Sequence, residues 1–118
     1  MPPKTRKWLE DVQAAAGLIA SFVAGHTLEE YRRSALLRSA VERQLEVIGE
    51  AVNRIARHDP GTAARISHHR RIVDFRNQLS HGYDLIDHGL VWRVVQDNVP
   101  QLMSEVTALL AALPEENH

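Results

Sequence analysis

The spacing of apolar residues along this chain constrains its fold more than any other feature. Apolar side chains recur every three or four residues and almost never alternate with polar ones, which indicates amphipathic helices rather than strands. The first stripe contains Leu9, Val12, Ile19 and Val23, the second runs from Leu37 to Ile55, and the last runs from Val91 to Leu113. The pattern therefore predicts an all-α protein, an up-and-down bundle of four to five helices.

Turn and capping residues set the limits of the first helices. Gly25 closes the first helix, and Thr27 with Glu30 three residues later forms a capping box that opens a long second helix. The segment 58–61 contains an Asp-Pro-Gly run that ends this second helix. Thr62 is then expected to cap a short helix or turn.

A motif-bearing helix and a final helix complete the predicted bundle. The motif helix turns Ile72, Phe75 and Leu79 inward at helical spacing. The final helix starts at about His88. Pro100 falls inside its apolar stripe, so a kink is expected there.

Length and composition limit the classes of protein to consider. The 118 residues fit one domain spanning 1–118, and without cysteine neither a disulfide framework nor a thiolate metal site can form. No apolar stretch is long enough to span a bilayer, and the segment 1–4 does not lead into a signal-type stretch, so we expect a cytoplasmic protein with no membrane association. The net charge of −1 argues against a general nucleic-acid coat protein, so any nucleic-acid binding must be local.

The segment 76–83 concentrates chemically active side chains at the end of the motif helix. Arg76 presents a planar fork of donors that matches phosphate oxygens, and the imidazole of His81, with an ordinary pKa near ~6.5, can take or give a proton. Gly82 is a typical helix stop, so the helix should end at or near His81 and turn Tyr83 into a loop. The segment predicts a phosphate-handling site.

The spacing of Arg76 and His81 places them on different faces of one helix. Positions five apart differ by about 140° around the axis, so the two side chains can converge only across a frayed terminus or an interface. A symmetric dimer that packs two such helix ends around one cleft is the simplest solution. The alternative is a helix terminus at which His81 caps carbonyls and Arg76 is merely solvated.

The pattern Arg76-x4-His81-x-Tyr83, with Asn77 directly after the arginine, resembles the motif of the HEPN superfamily of ribonucleases and, more narrowly, the HepT toxins. The segment Gly49-Glu50-Ala51 resembles a second HepT-like element, and the order of helices is also similar over nearly the whole chain. One departure precedes the motif helix, where residues 67–70 replace the Pro-Trp pair that HepT-like chains often carry.

The matching segment on the second helix leaves two questions open. Gly49 in mid-helix costs about 1 kcal/mol relative to alanine unless a close backbone approach offsets it. That approach could lie within the protomer or across a dimer, and a tolerated defect is the alternative. Glu50 could equally be a solvated residue or a cleft carboxylate, and it is given no catalytic role.

The resemblance implies metal-independent and cofactor-free cleavage of RNA by attack of the ribose 2′-hydroxyl on the neighbouring phosphate. His81 would act as general base or acid, and Arg76 would stabilise the charge on the phosphorane. Asn77 would support them by orienting the phosphate or the imidazole, although a solvated helix residue is its alternative. One protomer holds one such histidine, so a base and an acid together imply a homodimer.

The resemblance also assigns Tyr83 to regulation in a prokaryotic toxin-antitoxin pair. In HepT-like proteins a tyrosine at this place receives AMP from a cognate MntA-like minimal nucleotidyltransferase, the antitoxin, with which a hetero-oligomer is also expected. An anionic nucleotide beside Arg76 and His81 would block an RNA phosphate. The alternative is a tyrosine ring that packs against the bundle edge.

A basic cluster immediately upstream of Arg76, expected on the same helix, is the candidate for further RNA contacts. Arg65, Arg70 and Arg71 could form an electrostatic floor that attracts an RNA backbone, or simply a solvated helix face. His68 and His69 lie between them, but adjacent residues point in different directions and make a poor metal pair. No metal site is expected.

Two other functional classes remain open from the sequence. The chain could be a catalytically silent HEPN module that binds a nucleotide and serves as the scaffold of a minimal nucleotidyltransferase. It could also be a plain helical dimerisation domain.

Overall fold

Helices form every regular element in residues 4–81 and 86–113, the part of the chain that the computed structural model describes. They are α1 (Thr5–Val23), α2 (Leu28–Arg33), α3 (Ala35–His58), α4 (Pro60–Ala63), α5 (His69–His81), α6 (His88–Arg93) and α7 (Val99–Ala112), with a π-helical turn (Val94–Asn98) between the last two. The predicted all-α class is confirmed. Four helices, α1, α3, α5 and α7, have 13 residues or more, and the others are short. None of the described helices is both long and apolar enough to cross a membrane.

The core forms where the predicted apolar stripes meet. Every predicted residue of the first stripe is buried, and so are most members of the second and third stripes. Each fully buried aliphatic side chain contributes roughly 1.5–3 kcal/mol relative to an exposed one, so these three stripes supply the main stabilisation of the bundle. Leu37 and Leu113, at the ends of their stripes, are half-buried.

The sequence predicts one long second helix, but this prediction is wrong because the structure divides the segment at Ser34 into α2 and α3. Ser34 has an extended backbone (φ −104°, ψ 101°), and its Oγ accepts a hydrogen bond from the amide of Leu37 at 3.0 Å. This serine therefore ends α2 and caps α3. The predicted capping box at the start of α2 is confirmed, since the Glu30 amide donates to Thr27 Oγ1 at 3.2 Å and the Thr27 amide donates to Glu30 Oε1 at 3.0 Å.

Asp59, not Thr62 as predicted, caps the short helix α4. Its Oδ1 accepts from the Thr62 amide at 3.3 Å, and Pro60 occupies the first turn, where a missing N–H costs nothing. Its Oδ2 accepts from Thr5 Oγ1 at 2.9 Å and from Thr62 Oγ1 at 2.8 Å, which ties α4 to the start of α1. Burial alone would raise the pKa of Asp59, but these hydrogen bonds hold the pKa below its usual value.

The turn before α5 is held by a contact with α7. The backbone amide of Ser67 donates to Glu105 Oε1 at 2.9 Å, and His68 adopts a left-handed conformation (φ 59°) before the helix starts. α5 is described from His69 to His81, and the predicted stop at Gly82 lies outside the described residues.

The last helical stripe is interrupted just before Pro100, close to the predicted kink. Proline lacks an amide hydrogen, and its ring clashes with the carbonyl four residues earlier, at Gln96. Gln96 lies within the π-helical turn, where the regular hydrogen-bond pattern is already broken.

Candidate active site

Arg76 lies where α5 crosses α3, directly against Gly49. A Cβ atom added to Gly49 would lie 2.2 Å from the Cβ of Arg76 and 2.6 Å from its Cγ, distances that real side chains do not allow. Gly49 therefore serves a close approach between two helices of one protomer. Of the readings that the sequence left open, this one is confirmed and the tolerated defect is wrong.

The guanidinium of Arg76 is directed by two neighbouring side chains. Its Nη2 lies 3.1 Å from Glu50 Oε2, and its Nη1 donates to Asn77 Oδ1 at 3.0 Å. The Nε atom is buried and has no hydrogen-bond partner among the described residues. The side chain as a whole is 32% exposed. Because a guanidinium has five N–H donors, capacity remains for an anion at the exposed edge.

Glu50 also contacts Arg54, one turn further along α3. Arg54 Nε lies 3.1 Å from Glu50 Oε1, so the two carboxylate oxygens bind two different arginines. From the sequence, Glu50 had no catalytic role and Arg54 did not stand out. The signal for the pair was present as an i,i+4 spacing of opposite charges on a helix, but such pairs are common and mostly structural.

His81 lies at the C-terminal end of α5 and is exposed. The five-residue spacing within a continuous helix puts it about 140° around the axis from Arg76. Because Arg76 packs on α3, the alternative in which this arginine is only solvated is wrong. Within one protomer the helix keeps the two motif side chains on different faces, and their convergence stays a prediction.

The structure describes Asn77 but not Tyr83, the two remaining residues of the motif. Asn77 is exposed, and its amide oxygen contacts Arg76, whereas its predicted contacts with a phosphate or with the imidazole stay predictions. Tyr83 and Gly82 lie outside the described residues, so the assignment of Tyr83 also stays a prediction.

The basic cluster before the motif does not form one helical surface with Arg76. Arg65 precedes α5, in the turn that follows α4, while Arg70 and Arg71 are exposed in the first turn of α5. Arg71 is five residues from Arg76 and so points about 140° away from it. The role of these arginines in RNA binding stays a prediction.

A groove of about 340 Å³ lies on another side of α5, between α3 and the α6–α7 segment. Ile72 and Phe75 line it and are half-buried, whereas Leu79 is fully inside the core. The predicted inward stripe of α5 is thus only partly covered. Arg71 and His68 stand among the polar residues of the groove.

Comparison with known protein families identifies the family of this chain. Residues 12–109 match the family described as ribonuclease HepT-like. The chain belongs to the HepT-like ribonuclease family. The matched range contains the Gly49-Glu50 pair and the whole Arg76 to Tyr83 motif, so the contact between α3 and α5 lies inside the family domain.

Three relatives match this chain over most of their own length. A protein of Methanocaldococcus jannaschii, provisionally named an RNase, is 32% identical over 101 residues, which cover 86% of this chain and 92% of the relative. A protein of Caldanaerobacter subterraneus with the same kind of name is 25% identical over 105 residues, 89% and 93% of the two chains. A probable ribonuclease HepT of Thermococcus cleftensis is 29% identical over 107 residues, 88% and 94% of the two chains. No solved structure matches the chain significantly.

Proposed function

We propose that this protein is a metal-independent endoribonuclease and the toxin of a toxin-antitoxin pair. The observation that carries the proposal is the fixed Arg76, whose stem is locked against Gly49 and whose guanidinium keeps an exposed edge in a HepT-like ribonuclease chain. The relatives' names, which describe ribonucleases, point to RNA as the substrate.

The chemistry follows from the side chains of the motif. The ribose 2′-hydroxyl attacks the adjacent phosphorus while the bond to the leaving 5′-oxygen breaks, which yields a 2′,3′-cyclic phosphate and a free 5′-hydroxyl. His81 takes the proton of the attacking hydroxyl or gives one to the leaving oxygen, a role worth about 10²–10⁴ in rate. Arg76 stabilises the negative charge that develops on the phosphorane oxygens, and Asn77 supports it.

A homodimer would supply the missing geometry. One protomer offers one motif histidine, on a different face of α5 from Arg76, so a base and an acid at one phosphate need two chains. Two α5 ends packed around a shared cleft would bring Arg76 of one protomer towards the partner subunit's His81.

Silencing by AMP transfer to Tyr83 completes the proposal. A cognate MntA-like minimal nucleotidyltransferase would transfer AMP from ATP to the phenolic oxygen of Tyr83 and release pyrophosphate. The negative charge of the attached nucleotide would oppose an RNA phosphate near Arg76. Intact-mass measurement after incubation with the nucleotidyltransferase and ATP should show one added AMP. A Tyr83→Phe variant that still gains the mass would remove Tyr83 as the target.

The decisive experiment is cleavage of a defined RNA in EDTA, with mass spectrometry of the product ends. Wild type should leave cyclic 2′,3′-phosphate ends, and these should fall at least 100-fold in Arg76→Ala and in His81→Ala. Arg93→Ala and His26→Ala, each of which removes an exposed side chain of the same type elsewhere, should cleave like wild type. Cyclic ends that persist in His81→Ala would contradict the mechanism. No cleavage of several RNAs, combined with binding to the nucleotidyltransferase, would instead support a silent scaffold.

A further inference from the structure

We infer that Glu50 is a positioning residue of the proposed ribonuclease, which fixes the guanidinium of Arg76 towards the RNA phosphate while Arg54 anchors the carboxylate of Glu50. The inference rests on the proposed function and adds two residues to it. Neither residue touches the reacting atoms in this proposal, so both act through Arg76.

Different contacts hold the two ends of the Arg76 side chain. Gly49 fixes the Cβ and Cγ atoms on the surface of α3, so the stem cannot shift towards α3. The end of the side chain is held by two directed contacts, one from Glu50 at 3.1 Å and one from Asn77 at 3.0 Å. Of these two contacts, the one from Glu50 comes from a different helix, so among the described residues it is the contact that fixes the guanidinium relative to α3.

The two oxygens of Glu50 are both engaged, which makes its own orientation specific. Oε1 binds Arg54 and Oε2 binds Arg76, each at 3.1 Å. A carboxylate with Arg76 as its only partner would be free to rotate. A carboxylate held between two guanidinium groups keeps one orientation, and it therefore holds the guanidinium of Arg76 in one orientation as well. Exposed ion pairs contribute about 0–1 kcal/mol to stability, so stabilisation of the fold is a weak reason for this arrangement.

The charge of the cluster also suits an anionic substrate. Glu50 carries one negative charge and the two arginines carry two positive charges, so the three side chains together keep a net positive charge. The carboxylate reduces the repulsion between the two guanidinium groups, and the remaining charge attracts phosphate. Removal of Glu50 should therefore strengthen RNA binding while it weakens catalysis.

The test separates kcat from KM in the EDTA cleavage assay. In Glu50→Gln we expect kcat to fall about 10- to 100-fold, because a guanidinium displaced by about 1 Å loses much of its effect. We expect KM to fall about threefold, because a negative charge near the phosphate is gone. Arg54→Gln should raise KM about threefold for the opposite reason. Glu46→Gln, one turn earlier on α3, makes the same charge change away from Arg76 and should leave both constants within about twofold of wild type.

Two outcomes would overturn the inference. A fall in kcat with an unchanged KM, accompanied by lower thermal stability, would mean that Glu50→Gln only reduces the fraction of folded enzyme. Wild-type constants in Glu50→Gln would mean that Asn77 and Gly49 alone suffice to direct Arg76.

A readout that needs no cleavage keeps the inference separate from the proposed function. The Nε–H group of Arg76 is buried, so it should give a slowly exchanging signal in arginine side-chain NMR, assigned by its loss in Arg76→Lys. Glu50→Gln should shift or broaden this signal, and Glu46→Gln should not. If wild type cleaves no RNA, the proposed function fails while the NMR result still decides the positioning. If wild type cleaves RNA and the signal is unchanged in Glu50→Gln, the positioning fails while the ribonuclease stands.

Discussion

At the scale of single residues, Gly49 sets how close the motif helix lies to its neighbour. An alanine there would place its Cβ 2.2 Å from the Cβ of Arg76, so α5 or the arginine must move. Overpacking of this kind costs about 1–3 kcal/mol, and the better helix propensity of alanine offsets about 1 kcal/mol of that. We expect Gly49→Ala to lower the free energy of unfolding in urea by up to about 2 kcal/mol and to lower RNA cleavage at least tenfold.

Gly17 provides a matched control for this prediction. It also lies inside a long helix, α1, but the atom nearest to its added Cβ is Met103 Cε at 3.9 Å, an ordinary contact. Gly17→Ala should therefore raise the free energy of unfolding by up to about 1 kcal/mol through helix propensity alone. Equal stability of the two alanine variants would show that α5 moves away from Gly49 without cost.

At the scale of elements, Asp59 joins the cap of α4 to the first turn of α1. Asp59→Ala removes three hydrogen-bond acceptor contacts, and the loss of a helix cap typically costs about 1–2 kcal/mol. Urea unfolding at pH 7 should show this loss, whereas Asp97→Ala, an exposed aspartate in the π-helical turn, should stay within about 0.5 kcal/mol of wild type.

The cost of Asp59→Ala should also depend on pH. The pKa of Asp59 is lower in the folded protein than in the unfolded chain, so its contribution is present above the unfolded pKa, near ~3.9. The contribution is lost as the pH falls through the folded pKa. Wild type should therefore lose more stability between pH 5 and pH 2.5 than Asp59→Ala does. Parallel pH profiles of the two proteins would contradict the assignment of the low pKa to this cap.

At the scale of the whole molecule, the helix that carries the motif is the least covered of the four longer helices. Only Leu79 of α5 is fully buried, whereas α1 and α3 bury seven or more residues each. Local opening requires less free energy where fewer apolar contacts break. α5 should therefore open more readily than the core.

Hydrogen exchange measures this difference directly. Amides of α5 should exchange through openings of lower free energy than amides in the middle of α3, and a dimer that covers α5 should make its protection depend on protein concentration. Amides of α5 protected as strongly as those of α3 at high dilution would show that α5 opens only with the entire bundle.

The local patterns of the sequence determined the helical class, the three apolar stripes and the capping box at Thr27. Each of these depends on side chains three or four residues apart, so their physics is contained in a short stretch of chain. Local patterns did not determine which polar residue caps each helix. The sequence predicts a cap at Thr62 where the structure has Asp59, and Ser34 interrupts a stretch whose spacing predicts continuous helix.

The candidate site also combines residues that the sequence indicated with contacts that only the structure shows. The sequence pointed to Arg76 and His81 by their chemistry, the family resemblance added Asn77, and Gly49 stood out in the middle of a helix. It could not show that Arg76 lies on Gly49 or binds Glu50, because these residues are 27 and 26 positions from Arg76 and meet it only when α5 packs across α3. That crossing is set by the apolar faces of several helices together, so tertiary structure alone decides which carboxylate directs the arginine.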